Sequence, residues 1–317
     1  MSGYRALAPA KVNLGLFVGP ERAGDGRHEL VTVMQAISLA DELTLTPAPA
    51  GAAADEVWSP GVPGPPSANL AAAALRSFRA ATGWDAPPVR LEIAKRVPLA
   101  AGLGGGSADA AATLRLARHA SGLGDEELLR ELGAALGADV PALLAPGRWL
   151  AAGAGERLHR LPDPSPPLEL LLLPLAHELS TASVYGEADR LGPGREPHEL
   201  VERHQQLLAA LGRGAPLPVD EQLLVNDLQP AAVALCPPVA EALAQARAAG
   251  AEQAFVSGSG PTVAGLFERS PARSKAAPGP AERAAARLRG RMPAPICATS
   301  VGLACASATA DGGRRGR

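Results

Sequence analysis

The order of apolar and polar positions divides the chain into two successive runs of elements. Lys11–Val18 alternates, which predicts a strand with Val12, Leu14, Leu16 and Val18 on one face. A turn rich in Gly, Asp and Arg follows at Gly19–Gly26. Leu30–Leu39 and Asp41–Thr46, rich in Val, Ile, Thr and Leu, read as two further strands. Residues 47–66 are mostly Ala, Pro and Gly around one short strand at Val57-Trp58. Asn69 begins a helix through Ala81, ended by Gly83 and stopped beyond by Pro87-Pro88. Val89–Lys95 alternates again, with Val89, Leu91 and Ile93 on one face. Pro98–Gly106 is a glycine-rich loop, and Ser107 is the expected cap of an Ala-rich helix to about Ala120. Asp125 starts another helix, and Gly133–Ala138 leads to Asp139-Val140-Pro141.

Pro162-Asp-Pro-Ser-Pro-Pro167 holds four prolines in six residues, which marks a linker. The expected domains are therefore 1–162 and 168–306, with a disordered tail at 307–317. The second run has a strand at Leu168–Pro174, a helix near Ser183–Arg190, a charged helix near 197–211 and another at Pro238–Ala249. A strand at Ala254–Ser257 enters a second glycine-rich turn, Ser257-Gly-Ser-Gly-Pro261, and Thr262–Phe267 leaves it as a strand. Residues 270–281 read as a solvated insertion. A helix near 282–290 and a strand near 297–303 close the domain.

Composition removes several classes of function. Hydrophobic residues are 47% and charged residues 20%, enough apolar surface for a core. A net charge of −2 gives no global attraction to nucleic acid or anionic membrane. Aromatic residues are 3%, too few for a base-stacking RNA platform. Cys236, Cys297 and Cys305 lack CxxC spacing, so neither a disulfide framework nor a Cys-rich zinc site is expected, and all three read as reduced packing residues. The greasiest run, Leu168–Ala176, is too short to span a bilayer, and the first residues carry no secretory h-region. The expected location is the cytoplasm, with no nucleic acid, membrane or obligate protein partner. Only three of the basic residues are lysine (Lys11, Lys95, Lys275), which singles out Lys11.

The densest local signal is Pro98-Leu-Ala-Ala-Gly-Leu-Gly-Gly-Gly-Ser-Ala-Asp-Ala-Ala111-Ala112. Glycine lets successive backbone N–H groups converge on an anion without a Cβ in the way, and the following helix N-terminus adds unpaired N–H groups and a favourable dipole. Together they describe a phosphate cradle. No Gly-Lys-Ser/Thr follows, so it is not a Walker A loop, and Ser107 with its surroundings departs from the dinucleotide fingerprint. The competing reading is a flexible turn ahead of a helix.

Pro9-Ala-Lys-Val-Asn-Leu14, Gly102–Ala112 and Val256-Ser-Gly-Ser-Gly-Pro261 resemble the three motifs of the GHMP small-molecule kinases. Asp25-Gly-Arg-His-Glu-Leu30, Gly137-Ala-Asp-Val-Pro141 and Val225-Asn-Asp-Leu228 fit the branch that acts on a CDP-linked methylerythritol. The resemblance implies an α+β, two-domain fold: an N-terminal ATP-binding domain, a C-terminal ferredoxin-like α/β sandwich domain, and the active site in the cleft between them. It implies ATP with Mg²⁺ and transfer of a phosphoryl group to the 2-hydroxyl of the methylerythritol part, a step of non-mevalonate isoprenoid biosynthesis. Alternatives are another GHMP kinase with a different alcohol substrate, or a catalytically silent binding protein on the same scaffold.

Phosphoryl transfer needs charge neutralisation and in-line positioning more than covalent help. The resemblance makes Lys11 the catalytic point charge and Asp139 the acceptor of the hydroxyl proton; otherwise they are a surface charge and a helix cap. Pro98, Leu99, Ala100, Ala101, Gly102, Leu103, Gly104, Gly105, Gly106, Ser107 and Ala108 form the implied ATP site. Asn13, Arg27, His28, Thr181 and Tyr185 form the implied substrate site. His28 would contact the cytosine, and Tyr185 would cover the base unless it only packs its helix. Arg27 stands where the family usually has an aromatic residue, although a guanidinium plane also stacks on a base. Thr181 otherwise caps a helix. Gly258, Ser259 and Gly260 either close the phosphate site or make a tight strand connection. Asp109 is expected to be exposed in the first helical turn, and Asn226-Asp227 to play a structural part at the domain interface. No protein ligand of a metal is identified.

Overall fold

The computed structural model describes residues 3–65, 68–217, 220–267, 277–306 and 308–310. Its first sheet is built on two long antiparallel strands, β1 (Tyr4–Glu21) and β2 (His28–Pro47). The two strands expected at Leu30–Leu39 and Asp41–Thr46 are this single β2. Its length lets it serve two partners: Leu30–Gln35 pairs with β5 (Arg148–Gly153), and Glu42–Pro47 pairs with β4 (Val89–Ala94). The short β3 (Glu56–Trp58) runs parallel to β4, and β6 (Arg157–Leu161) forms a hairpin with β5 that the sequence pattern did not reveal.

β1 does not keep one face. Its register shifts between Asn13 and Gly15, so the alternation flips there. Val12 and Leu14 enter the core between the sheets, whereas Leu16 and Val18 pack against Val184, Leu228 and Ala231. A Cβ on Gly15 would lie 2.4 Å from the Leu223 carbonyl oxygen, so only glycine fits this bend.

Four helices cover the far side of the first sheet: α1 (Leu70–Thr82), α2 (Gly105–Ser121), α3 (Glu126–Leu136) and α4 (Val140–Leu144). Asn69 and Asp125 cap α1 and α3 with their side chains, and Gly83 ends α1 in the left-handed region, as their residue types predict. Ser107 is not the cap of α2. The helix begins two residues earlier, with Gly104 at the cap in a left-handed conformation (φ 69°) and no side-chain cap bond.

The second sheet contains β7 (Glu169–Leu173), β8 (Gln253–Val256), β9 (Val263–Phe267) and β10 (Ile296–Thr299), ordered β10-β7-β9-β8 and antiparallel throughout. In chain order that is 4-1-3-2, the ferredoxin-like arrangement. Helices α5 (Thr181–Leu191), α6 (Pro197–Leu211), α7 (Gln229–Leu235) and α8 (Pro238–Ala248) lie between β7 and β8, and α9 (Pro280–Arg287) between β9 and β10. The strands sort by alternation: Leu171, Leu173, Val256 and Val263 face α7, α8 and α9, while Leu170, Leu172, Ala264 and Leu266 face Val12, Leu14 and Val33 of the first sheet. The α+β two-domain expectation is thus met, and a continuous apolar core joins the two sheets.

The proline run 162–167 lies between β6 and β7. Of the expected insertion, residues 270–276 lie outside the described residues, but Ala281 is buried in α9 rather than solvated. Within the expected disordered tail, Thr309–Ala310 form β11, paired with β1, whereas Ser307 and residues 311–317 lie outside the described residues. All three cysteines are free, but only Cys236 is a buried packing residue; Cys297 is exposed. Among the described residues no helix is long and apolar enough to cross a membrane.

Candidate active site

The two sheets and their loops leave a cleft of about 1090 Å³. Every residue assigned to a site from the sequence lines it except Ala108, which is buried among the helices behind the glycine loop.

At its floor, β1 presents Lys11 and Asn13, both buried. Lys11 Nζ donates to Asn13 Oδ1 (2.7 Å) and lies 3.4 Å from Asp139 Oδ2. Asn13 Nδ2 in turn donates to Thr32 Oγ1 (2.9 Å), whose hydroxyl donates to the Gly15 carbonyl (2.6 Å). Asn13 is therefore held by a chain of bonds ending on the β1 backbone. Asp139 precedes α4 in the cap position but makes no side-chain capping bond. Its carboxylate is turned to the lysine, which disfavours the helix-cap alternative.

The glycine loop arches over these groups. Gly102 and Gly104 adopt φ of 73° and 69°. A Cβ on Gly104 would sit 3.0 Å from the Lys11 side chain, and one on Gly102 would sit 2.2 Å from the Ser257 carbonyl oxygen. The first loop thus touches the second, and Ser257 Oγ donates to the Gly102 carbonyl (3.1 Å). Gly258, also left-handed at φ 57°, approaches so closely that a Cβ would lie 3.2 Å from Asn13 Oδ1 and 3.4 Å from Lys11 Nζ. Such contact with the first loop and the floor is more than a strand connection requires. Asn226 anchors this second loop by donating to the Val256 and Gly258 carbonyls (2.8 Å each), while Asp227 accepts from the Val18 N–H and pairs with Arg195. Both therefore have the structural role expected of them.

At the other end of the cleft, His28 opens β2 and meets α5. The His28 and Tyr185 rings have centroids 4.8 Å apart, and Asp189 Oδ1 lies 2.9 Å from His28 Nε2. Burial, with the Asp139 charge adding to it, pushes the Tyr185 hydroxyl up to about 12. Thr181 is not the cap of α5, since Ser180 takes that part by accepting from the Ser183 N–H. Thr181 Oγ1 lies instead 3.2 Å from Ser259 Oγ, joining α5 to the second glycine loop. Arg27 is half exposed and its guanidinium is turned to Asp25 (3.0 Å).

Sequence reading missed one group of charges. Asp109 is buried, not exposed. Its Oδ2 accepts from Lys95 Nζ (2.7 Å), and the same ammonium pairs with the fully buried Asp41, while Lys95 itself lines the cleft. Burial, reinforced by the Asp41 charge and opposed by Lys95, pushes the Asp109 carboxyl up to about 7. Its rarity among the lysines was the one available signal for Lys95, and nothing in the local pattern linked it to residues 41 and 109. The buried Arg148 also escaped notice. It donates to Gln35 Oε1 and to the Ala215 and Pro216 carbonyls, which accounts for it as a structural bond set between β5, β2 and the segment after α6.

A ferredoxin-like domain packed on a strand-rich domain, with a glycine loop opening a helix above a buried lysine, is the arrangement of a GHMP kinase. Family models agree: the GHMP kinases N terminal domain matches residues 69–147 and the GHMP kinases C terminal domain matches residues 200–293. Within that class the chain belongs to the 4-diphosphocytidyl-2-C-methyl-D-erythritol kinase family. It is 45% identical to the protein of that name from Streptomyces coelicolor over 263 residues, 81% of this chain and 85% of the relative. It is 44% identical to the one from Kineococcus radiotolerans, over 87% of this chain and 84% of the relative. A crystal structure of 4-(cytidine 5'-diphospho)-2C-methyl-D-erythritol kinase superposes with a TM-score of 0.71 at 34% identity, covering 94% of this chain and 100% of that one. Homoserine kinase from Cytophaga hutchinsonii, at 17% identity and a TM-score of 0.69 over 98% of each chain, shares the fold.

Proposed function

We propose that the chain is a small-molecule kinase that transfers the γ-phosphoryl group of ATP to the 2-hydroxyl of 4-diphosphocytidyl-2-C-methyl-D-erythritol, in non-mevalonate isoprenoid precursor biosynthesis. The observation that carries this reading is the placement of Lys11, Asn13 and Asp139 in one cleft with the glycine loop and the His28–Tyr185 pair.

The glycine loop at 98–108 binds the ATP phosphates through backbone N–H groups and the start of α2. The loop at 258–260 closes on them from the second domain. His28 and Tyr185 hold the cytosine end, with Arg27 beside them on the cleft wall and turned to Asp25, and Thr181 stands near the substrate phosphates. The methylerythritol hydroxyl then falls beside Asp139, which takes its proton as the O–P bond forms and the bond to ADP breaks. Lys11 neutralises charge on the transferring phosphoryl oxygens and keeps the carboxylate turned inward. Asn13 orients the hydroxyl or the aspartate. In this reading residues 1–162 and 168–306 act as the two functional domains.

Mg²⁺ fits the donor set as an ion carried on the nucleotide. Among the described residues no group of three or more His, Cys, Asp or Glu offers a dedicated cage. Mg²⁺ commonly takes one or two protein oxygens beside phosphates and water. The Ser107 hydroxyl, on the cleft wall, would supply one. Bound there, the ion would offset phosphate charge. We further propose a cytoplasmic location, with which three free thiols accord.

The deciding experiment is ADP release with ATP, Mg²⁺ and the CDP-linked substrate, beside mevalonate, homoserine, galactose and the UDP-linked analogue. Turnover confined to the CDP-linked substrate is expected. Turnover only on another alcohol would keep the chemistry and overturn the substrate, and ATP binding without turnover would point to a silent binding protein.

A further inference from the structure

Helix α5 grips a single imidazole with two residues of one face. Tyr185 and Asp189 are four residues apart and so lie one above the other on the helix surface. The Tyr185 ring covers His28, its plane tilted by 38°. The Asp189 carboxylate meets the edge of the same ring, Oδ1 to Nε2, at 2.9 Å. His28 is buried by this contact to 10% side-chain exposure, while Asp189 remains 52% exposed.

The chemistry of the two partners settles which nitrogen carries the proton. An ionised carboxylate only accepts hydrogen bonds, so Nε2 must be the donor. In the neutral imidazole Nδ1 is then a lone-pair acceptor. Among the described residues Nδ1 has no partner, and His28 lines the cleft. The ring therefore offers the cleft an acceptor and no ring N–H.

That choice distinguishes pyrimidines. Position 4 of cytosine bears an amine, a donor; position 4 of uracil bears a carbonyl oxygen, an acceptor. An acceptor facing position 4 bonds the first and repels the second. We infer that Asp189 is a positioning residue that fixes the His28 tautomer and so selects a 4-amino pyrimidine nucleotide over its 4-oxo counterpart. The inference rests on the kinase reading above and adds to it a residue outside the family motifs. Because Asp189 is half in water, its removal costs the fold little, and its effect is confined to the ring it orients.

The test compares unaltered protein with Asp189→Asn and Asp189→Ala, using the CDP-linked substrate and its UDP-linked analogue. An asparagine both donates and accepts, so it no longer dictates the tautomer. The ratio of kcat/KM for the CDP-linked over the UDP-linked substrate should fall by about tenfold in both variants, the loss of one hydrogen bond to a fixed acceptor. The change should appear in KM for the nucleotide substrate and leave KM for ATP unaltered. In ¹⁵N NMR of the free protein, His28 should be protonated at Nε2 and shift to a mixture of tautomers in Asp189→Asn. A merely structural part would lower kcat on both substrates alike and leave the ratio unchanged, which would overturn the inference. So would a proton on Nδ1 in the unaltered neutral ring. Failure of the unaltered protein to phosphorylate the CDP-linked substrate would overturn the kinase reading together with the inference, whereas normal turnover with an unchanged ratio in the variants would sink the inference alone.

Discussion

Lys11 Nζ lies 3.4 Å from Asp139 Oδ2, bringing the middle of β1 against the segment that opens α4. Asn13 takes a second proton of the ammonium at 2.7 Å, and among the described residues no further partner takes the third, on a side chain that lines the cleft. A buried cation with two defined partners and an open side is prepared for an anion. Lys11→Met should lower kcat by about 10²–10⁴-fold, the range for losing one charge stabiliser or proton-transfer group. Asp139→Asn should do likewise while ATP still binds, as read by nucleotide titration. Near-normal turnover of Asp139→Asn would remove it as the proton acceptor.

The contact between the two glycine loops makes Gly102 sensitive to a single methyl group. Its φ of 73° is strained for any L side chain, and the added Cβ would sit 2.2 Å from a backbone oxygen. Gly102→Ala should cost about 2 kcal/mol or more. By the size scaling of unfolding entropy that corresponds to a fall in Tm of about 3 °C for a chain of 317 residues. ATP affinity should fall with it. A variant with unchanged melting and ATP binding would contradict the close approach of the loops.

Asp109 gives a pH signature. Its native carboxyl is pushed up to about 7, whereas the unfolded chain has an ordinary aspartate near ~3.9. Between those values the native state binds the extra proton, so its contribution to stability is complete below about pH 4 and is lost as pH rises through about 7. Asp109→Asn cannot ionise and removes this slope. Urea unfolding at pH 5 and pH 8 should show the variant gaining stability relative to the unaltered protein at the higher pH. A difference independent of pH would show that Asp109 is ionised throughout.

Arg27 occupies the place of a stacking aromatic, yet its guanidinium is spent on Asp25 and its side chain is 52% exposed. Arg27→Tyr should therefore leave KM for the CDP-linked substrate unchanged or lower it. A large rise would reveal a direct contact of the guanidinium with the substrate.

The legible part of this molecule was the part written in local signals. Asn69, Gly83 and Asp125 announced helix ends because capping is decided within a few residues. The strands at 89–94 and 263–267 showed in their residue types and turn signals. The two glycine loops of the cleft were readable because Gly102, Gly104, Gly258 and Gly260 dictate the local backbone geometry, and the other site residues were readable through the motifs that contain them. The rest depended on distance. The unity of β2 was hidden because Leu39-Ala40-Asp41 looks like a break, and only pairing of Ala40 and Asp41 with Pro9 and Ala8 of β1 carries it through. The fate of Asp109 was hidden because its partners Lys95 and Asp41 approach from distant segments, just past the end of β4 and within β2. The cap of α2 was misread because a left-handed Gly104, pressed against Lys11, starts the helix before the serine does.

β11 has a consequence for how the protein comes into being. Residues 309–310, reached only after the entire ferredoxin-like unit, add to the edge of the sheet that begins at Tyr4. The apolar face of that sheet around Val12 and Val33 packs largely against residues of the later half, from β7, β9, β10 and helix α6. A growing polypeptide would thus emerge with half of an unsealed core and wait for its complement. The maturation of the kinase is a closing of the circle rather than the threading of two beads, and the nascent first half is the stage at which a chaperone has the most to hold.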